Sequence, residues 1–196
     1  SGNFGEIRSN HFHGGLDFKT GGTIGKPVRA LADGYISRIR VTNGSGYVLD
    51  VCYHNGYSTI NRHLSAFLSP IAERVKKLQY ENENWEVEII PEPDEYPVKA
   101  GQRIALSGNT GYSFGPHLHL DVFETETGDY IDPMPFFKKN LKDTRAPKAD
   151  GIMLFPQLGK GVVSGSQENK TILPNSEHPV EAWGVIGTGI KAYDYM

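Results

Sequence analysis

Cysteine is almost missing from this chain of 196 residues, because Cys52 is the only one and no intrachain disulfide can form. We interpret Cys52 as a small apolar strand residue rather than a nucleophile.

No apolar run approaches the roughly 20 residues of a membrane span. Lys and Arg total 20 against 23 Asp and Glu, without a long basic block, so nothing indicates a nucleic-acid partner. No signal peptide opens the chain, and its start "SGNF" and end "GTGIKAYDYM" lead us to expect a fragment of a longer protein.

Strand signals dominate what the chain does contain. The run "YVLDVCYHNGYSTINRHL" predicts a hairpin with strands at 47–54 and 57–64, joined by a type I′ turn at Asn55 and Gly56. "HLHLDVFE" predicts a further strand that follows the glycine-rich loop "NTGYSFGP". Because strand signals dominate and the hairpin pairs two strands antiparallel, the fold class is expected to be mainly β.

One helix is expected within this sheet, at residues 70–80. Ser69 can cap it, and Ile71, Val75 and Leu78 share one face. The fold class is therefore a β domain with one inserted helix.

A domain boundary is expected near "KKNLKDTRAPKADG", where charge, proline and glycine cluster. It separates a domain at 1–140 from a partial β domain or extension at 141–196. The second piece contains the strand-like runs "GIMLFP" and "HPVEAWGVIGTGIKAYDYM". Its short length predicts the start of a second, immunoglobulin-like β unit that is completed elsewhere.

Two histidine clusters carry the chemistry of the first domain. Residues i and i+2 of a strand point to the same side, so His117 and His119 share one face while Leu118, Leu120 and Val122 face the core. Four of the seven histidines lie in "HFHGGLDF" and "GPHLHLDV". Two imidazoles on one face of a rigid strand predict part of a metal-binding site.

The first cluster supplies the other ligands. His13 and Asp17 can aim at the same point across the bend at Gly14 and Gly15. An imidazole and a carboxylate are both good zinc ligands, and catalytic zinc sites commonly keep three protein ligands and one open position. A His/Asp pair with one histidine of the second cluster gives that number. The helical signature HExxH is absent, so a histidine rather than a glutamate should handle protons.

Three segments together resemble one family, the lysostaphin-type (LytM-like) zinc metallopeptidases, which cut peptides of bacterial peptidoglycan. They are "FGEIRSNHFHGGLDF", "NGYSTINRHLS" and "SGNTGYSFGPHLHLDVFE", and the resemblance covers roughly residues 4–137. It implies a compact antiparallel β-sheet fold, barrel-sandwich-like, with the site in a groove between loops. It also implies peptidoglycan peptides as the substrate and a periplasmic or cell-surface location.

The resemblance assigns roles residue by residue. It implies that His13, Asp17 and His119 bind Zn²⁺ and that His117 and His63 are the catalytic histidines. These two would polarise the attacking water and stabilise the tetrahedral oxyanion. All five family positions are filled, which argues against a degenerate relative.

The chain also departs from the family pattern. Asn61 stands two positions before His63, where the family often has tyrosine, and this is expected to alter the groove wall. The stretch between residues 65 and 98 is long for the family and is expected to reshape substrate access. His11 is interpreted as a rim residue rather than a fourth ligand. Asp121 is either a carboxylate that orients a histidine ligand or a solvated strand residue.

Two other functions compete with this interpretation. A cupin metal site would use His117, His119 and Glu124 for iron or manganese, but it leaves "HFHGGLDF" unexplained. A non-catalytic envelope protein could use the same fold to bind peptidoglycan or to activate a hydrolase. Metal identity separates the first from the zinc peptidase, and hydrolysis of muropeptides separates the second.

Overall fold

A computed structural model gives the fold. It describes residues 2–8, 11–139, 141, 146–173 and 177–193. Residue contacts group the chain into two units, Ser1–Leu141 and Lys142–Met196. That residues 1–140 and 141–196 are separate domains stays a prediction.

The first unit is built on an antiparallel sheet. Its strands are β1 (Gly15–Lys19), β2 (Pro27–Arg29), β3 (Gly34–Thr42), β4 (Gly46–Tyr53), β5 (Tyr57–Phe67), β6 (Val87–Ile89), β7 (Pro97–Val98), β8 (Arg103–Ser107), β9 (His117–Glu124) and β10 (Tyr130–Ile131). The main order is β1-β9-β5-β4-β3-β6, with β10 beside β9, β7 beside β3, and β8 between β2 and β5. The sheet stays open, and the predicted mainly β, antiparallel class is confirmed.

Two helices accompany the sheet, α1 (Ile71–Glu81) and the single-turn α2 (Met134–Phe137). Helix α1 is the expected inserted helix, and it buries Ile71 and Val75 against the sheet. The predicted Ser69 cap is wrong. Pro70 holds the cap position without a side-chain bond, and the Ser69 hydroxyl donates instead to the carboxylate of Glu73.

The hairpin of β4 and β5 has the predicted strands but a different turn. A type I′ turn needs a positive φ at both central residues. Among His54, Asn55 and Gly56, only Gly56 has a positive φ, at 88°. The Gly56 amide donates to the carbonyl of Tyr53 at 3.3 Å. The connection is therefore a three-residue loop that ends in a left-handed glycine, and the type I′ prediction is wrong.

The core lies along the central strands, where alternate residues face inward. Ile39 and Val41 of β3 and Leu49 and Val51 of β4 are fully buried. On β9, Leu120 is buried among the other inward residues, as the alternation predicts. The opposite face of β9 is therefore left for the polar residues of the site.

The second unit is a three-stranded antiparallel sheet in the order β12-β11-β13. Its strands are β11 (Lys148–Val163), β12 (Lys170–Ile172) and β13 (Ala182–Tyr193). The strands predicted in "GIMLFP" and in the last run are present, although residues 194–196 of that run lie outside the described part. Across the described residues of both units, no helix has the length and apolar character to cross a membrane.

Candidate active site

A regular ladder between β1 and β9 brings the two predicted clusters together. Asp17 pairs with His119 and Lys19 pairs with His117 in antiparallel register. Directly opposed residues have Cβ atoms about 4.5–5.5 Å apart and project from the same face of the sheet. The register therefore sets Asp17 beside His119 on the polar face of β9.

His13 lies just before β1 and is placed by the preceding segment. The Gly5 amide donates to the His13 carbonyl and the His13 amide donates to the Glu6 carbonyl, both at 2.8 Å, so His13 is paired with the segment around Gly5 and Glu6. His13 is buried, with 6% of the residue exposed. Its Nδ1 donates to the carbonyl of Asn3 at 2.8 Å, which leaves Nε2 to face the ladder.

Three ligand atoms converge at one point in front of β9. His13 Nε2 lies 3.1 Å from Asp17 Oδ1 and 2.9 Å from His119 Nδ1. Asp17 Oδ1 and His119 Nδ1 are 3.0 Å apart. Zinc bonds of 2.0–2.1 Å in a tetrahedron separate neighbouring ligand atoms by about 3.3 Å. The triangle therefore has nearly the dimensions of one face of a zinc coordination sphere.

The outer bonds of the two imidazoles set which nitrogens face that point. His119 donates from Nε2 to Asp121 Oδ1 at 2.6 Å, so its Nδ1 can present a lone pair. Burial opposes a charge on His119, but the bonds to Asp121 and Asp17 outweigh it and raise its pKa to about 9. A metal ion that binds at this point would displace that proton, because histidine binds a metal through a deprotonated ring nitrogen.

Asp121 is a buried carboxylate. Of its two interpretations from the sequence, this favours the carboxylate that orients a histidine ligand over the solvated strand residue. Asp121 is 2% exposed, and Arg62 Nε donates to its Oδ2 at 2.8 Å. Burial tends to raise the pKa of Asp121, but His119 and Arg62 together hold it below the usual value. A Cβ on Gly15 would lie 2.7 Å from Asp121 Oδ1, so only glycine leaves room for this carboxylate.

Asp17 is held in its ionised form on both sides. Burial raises the pKa of this carboxyl, but hydrogen bonds from His119 and His13 outweigh burial and move it well below its usual range. Its second oxygen, Oδ2, accepts a bond from Arg8 at 3.2 Å. Asp17 can therefore offer a charged oxygen to a metal without being protonated itself.

His63 reaches the site through an irregularity of β5. The residue has φ of 59°, and the pairing of β5 with β4 shifts register between Asn61 and Leu64. Because of this bulge, the neighbours Arg62 and His63 both line the same groove, which regular alternation would prevent. His63 donates from Nδ1 to the Thr110 carbonyl at 2.8 Å, so Nε2 is the nitrogen left for substrate. Burial lowers the pKa of His63, which favours the neutral imidazole.

His117 is held in the same way. Its Nδ1 donates to the Gly115 carbonyl at 2.8 Å, and its Nε2 lies 3.6 Å from Asp17 Oδ1. The rings of His117 and His63 are 4.8 Å apart between centroids. Two imidazoles with acceptor nitrogens therefore stand beside the ligand triangle.

All five predicted site residues line one groove of about 1070 Å³, namely His13, Asp17, His63, His117 and His119. His11 also lines it, as the rim interpretation expects. The inserted stretch does not reshape access in the way we expected. Among the residues that the structure describes, none between 65 and 98 lines this groove, because α1 packs on β5 and bounds a separate cavity of about 660 Å³.

Two other sequence interpretations are resolved by the strand geometry. Glu124 is five positions from His119 on β9, so it lies on the opposite face, and the cupin ligand set is not assembled. Asn61, at the position where the family often has tyrosine, is 3% exposed and donates to the Leu49 carbonyl. Its neighbour Arg62 lines the groove, whereas Asn61 does not.

Known proteins are similar to the first unit in both sequence and fold. A glycyl-glycine endopeptidase from Staphylococcus capitis is 35% identical over 135 residues, which cover 66% of this chain and 29% of that protein. The catalytic domain of lysostaphin from Staphylococcus simulans shares 29% identity with a TM-score of 0.50, over 70% of this chain and 90% of that domain. A zinc-containing peptidase from Vibrio cholerae shares 28% identity with a TM-score of 0.51, over 68% of this chain and 35% of that one.

No family model matches the chain. The fold and the convergent site are those of a metallopeptidase-like β domain. Together with these relatives, they show that the chain belongs to the lysostaphin-type (LytM-like) metallopeptidase family. The chain spans less than a third of the length of the S. capitis endopeptidase and of a metalloprotease from Buchnera aphidicola that it also matches.

Proposed function

We propose that this chain is a zinc-dependent endopeptidase that hydrolyses amide bonds in the peptide part of bacterial peptidoglycan. The observation that carries the proposal is the meeting of three acceptor atoms, 2.9–3.1 Å apart, beside two imidazoles in one groove. Family membership supplies the class of substrate. A periplasmic or cell-surface location follows from that substrate.

His13, Asp17 and His119 are the proposed zinc ligands, through Nε2, Oδ1 and Nδ1. The chemistry of this donor set fits zinc, which favours imidazole and carboxylate ligands and in catalytic sites keeps one open position. Asn3 and Asp121 accept the outer N–H of the two histidines, as is usual for ligand histidines. When bound, Zn²⁺ lowers the pKa of a coordinated water to about 7 and polarises a carbonyl oxygen.

His117 and His63 are the proposed catalytic residues. Each donates its Nδ1 proton to a backbone carbonyl and keeps Nε2 toward the groove. A neutral Nε2 can accept the proton of the attacking water, and a protonated one can donate to the oxyanion or to the leaving amine. The lowered pKa of His63 suits the acceptor role at neutral pH.

Digestion of purified peptidoglycan tests this function directly. The protein, loaded with one equivalent of zinc, is incubated with sacculi and with isolated cross-linked muropeptides, and the products are identified by mass spectrometry. We expect new amino and carboxyl ends within the peptides, no cleavage with a chelator, and recovery when zinc is added back. The mass of each product also identifies whether D,D-cross-links, glycyl bridges or stem-peptide bonds are cut.

A matched variant controls for trace contaminants. His117→Ala protein from the same preparation should bind zinc and leave the substrates intact. A protein that holds stoichiometric zinc but cleaves none of these substrates would contradict the proposal and support the non-catalytic, peptidoglycan-binding alternative.

A further inference from the structure

One cation of the groove has no role in holding the site together. Lys19 ends β1, directly opposite His117 in the β1–β9 register, and it lies on the same face as Asp17. Its side chain is exposed and lines the groove that contains the site. A directly opposed pair places Lys19 next to the proposed catalytic imidazole.

The other cations of the groove are already paired. Arg8 binds the carboxylates of Glu6 and Asp17, and Arg62 binds that of Asp121. Within the part of the chain that the structure describes, the backbone of Lys19 takes part in the β1–β9 ladder, but its side chain makes no hydrogen bond or ion pair. An ammonium group thus lines the groove without an ion-pair contact to a carboxylate of the described residues.

We propose that Lys19 binds a free carboxylate of the substrate, close to the amide that is hydrolysed. This inference rests on the proposed function and sharpens its substrate class. The carboxyl-bearing stem peptides of peptidoglycan satisfy the ammonium, whereas a bridge made only of glycine offers no carboxylate along its length. The chain should therefore prefer an acidic peptide to a neutral one of the same length.

The expected size of the preference follows from exposure. A solvent-exposed ion pair is weak because water and salt screen it. We therefore expect a carboxylate to raise kcat/KM by about fivefold over its amide at low salt. The preference should shrink at high ionic strength, since the Debye length falls to about 3 Å at 1 M salt.

A matched set of synthetic peptides tests the inference. The parent peptide carries one free side-chain carboxylate beside the scissile amide and one free C-terminal carboxylate. The other peptides have either group, or both, converted to a carboxamide. kcat/KM is measured for the wild type, Lys19→Gln, Lys19→Arg and the control Lys77→Gln, which removes an exposed lysine of α1 outside the groove.

The wild type, Lys19→Arg and Lys77→Gln should all prefer the carboxylate peptides, and Lys19→Gln should lose the preference while cleaving the neutral peptide at the wild-type rate. The amide substitution that abolishes the preference identifies the source, a side-chain or a C-terminal carboxylate. Equal ratios in wild type and Lys19→Gln would overturn the inference and leave Lys19 as a lysine that only protects an edge strand from pairing. Cleavage of no peptide by any variant would instead contradict the proposed function.

Discussion

The ladder of β1 and β9 and the bulged end of β5 deliver histidines to the same groove by different means. Along the ladder, Asp17 and His119 are opposed in unbroken register, and alternation alone turns them toward the site. In β5, His63 reaches the site only because its backbone takes φ of 59° where the register with β4 shifts.

The difference separates two kinds of requirement. Ligand atoms must be held at fixed mutual distances, and a regular ladder supplies such distances at no conformational cost. Of the two proposed proton-transfer residues, His117 lies on the same ladder. His63 approaches from another strand, and there a strained residue supplies the direction. Non-glycine residues at positive φ typically cost about 1–3 kcal/mol and are concentrated at functional sites.

Removing a ladder ligand should have the largest effect. His119→Ala deletes the imidazole that links Asp17 to Asp121, so zinc binding and hydrolysis should both be lost. Metal analysis after dialysis and the peptidoglycan digest measure the two losses. His54→Ala, which removes a histidine outside the groove, is the control and should keep both. Zinc retained at one equivalent by His119→Ala would remove this residue from the ligand set.

Removing a proton-transfer group should reduce turnover while sparing the metal. His117→Ala leaves the ligand triangle untouched, so zinc content should equal that of the wild type. The loss of general acid–base catalysis should lower kcat by roughly 10²–10⁴-fold, with a smaller change in KM. Steady-state kinetics on one muropeptide measures this, and a variant of normal kcat would exclude the role given to His117.

Weakening the carboxylate behind the ladder should have an intermediate effect. Asp121→Asn removes the charge that orients His119, and the zinc affinity should fall by about 10–100-fold. Asp50 is the matched control, because it is likewise a buried aspartate on this sheet bound to an arginine, Arg40. Competition with a zinc indicator should show a shift for Asp121→Asn and none for Asp50→Asn, whereas equal affinities in both would contradict the orienting role.

The smallest expected effect tests the difference in backbone conformation between His63, which has a positive φ, and His117, which lies in an extended strand. Glycine tolerates positive φ, so His63→Gly should be more stable than His63→Ala by about 1 kcal/mol. In the extended strand at His117 the sign should reverse, with the glycine variant less stable than the alanine variant by roughly 0.5–1 kcal/mol. Urea unfolding of the four zinc-free proteins measures both differences. The same sign at both positions would show that the bulge is not strained.

Much of the ladder could be predicted from the sequence. His117 and His119 alternate with apolar residues, and that period of two assigns both histidines to one face without knowledge of the partner strand. The pairing of β1 with β9 was beyond such reasoning, because register depends on contacts between residues about a hundred positions apart. The number of ligands already combined Asp17 with one histidine of the second cluster, and the family resemblance selected His119 rather than His117.

The bulge and the outer bonds could not be predicted in this way. Regular alternation would place the side chains of Arg62 and His63 on opposite faces of the sheet. The sequence "INRHLS" contains no glycine that would indicate a positive φ. The role of Asn3 was also missed, since it acts through a backbone carbonyl that any residue could supply. The hydrogen bond from Arg62 to the buried Asp121 depends on the same bulge, which the alternation of apolar and polar residues does not reveal.

The carbonyls of Thr110 and Gly115 belong to one short connection between β8 and β9, yet they anchor the imidazoles of two different strands. A shift of that connection would turn both rings together and leave the ligand triangle where it is. Substitutions in this single loop could therefore change the turnover rate while the metal affinity stays the same.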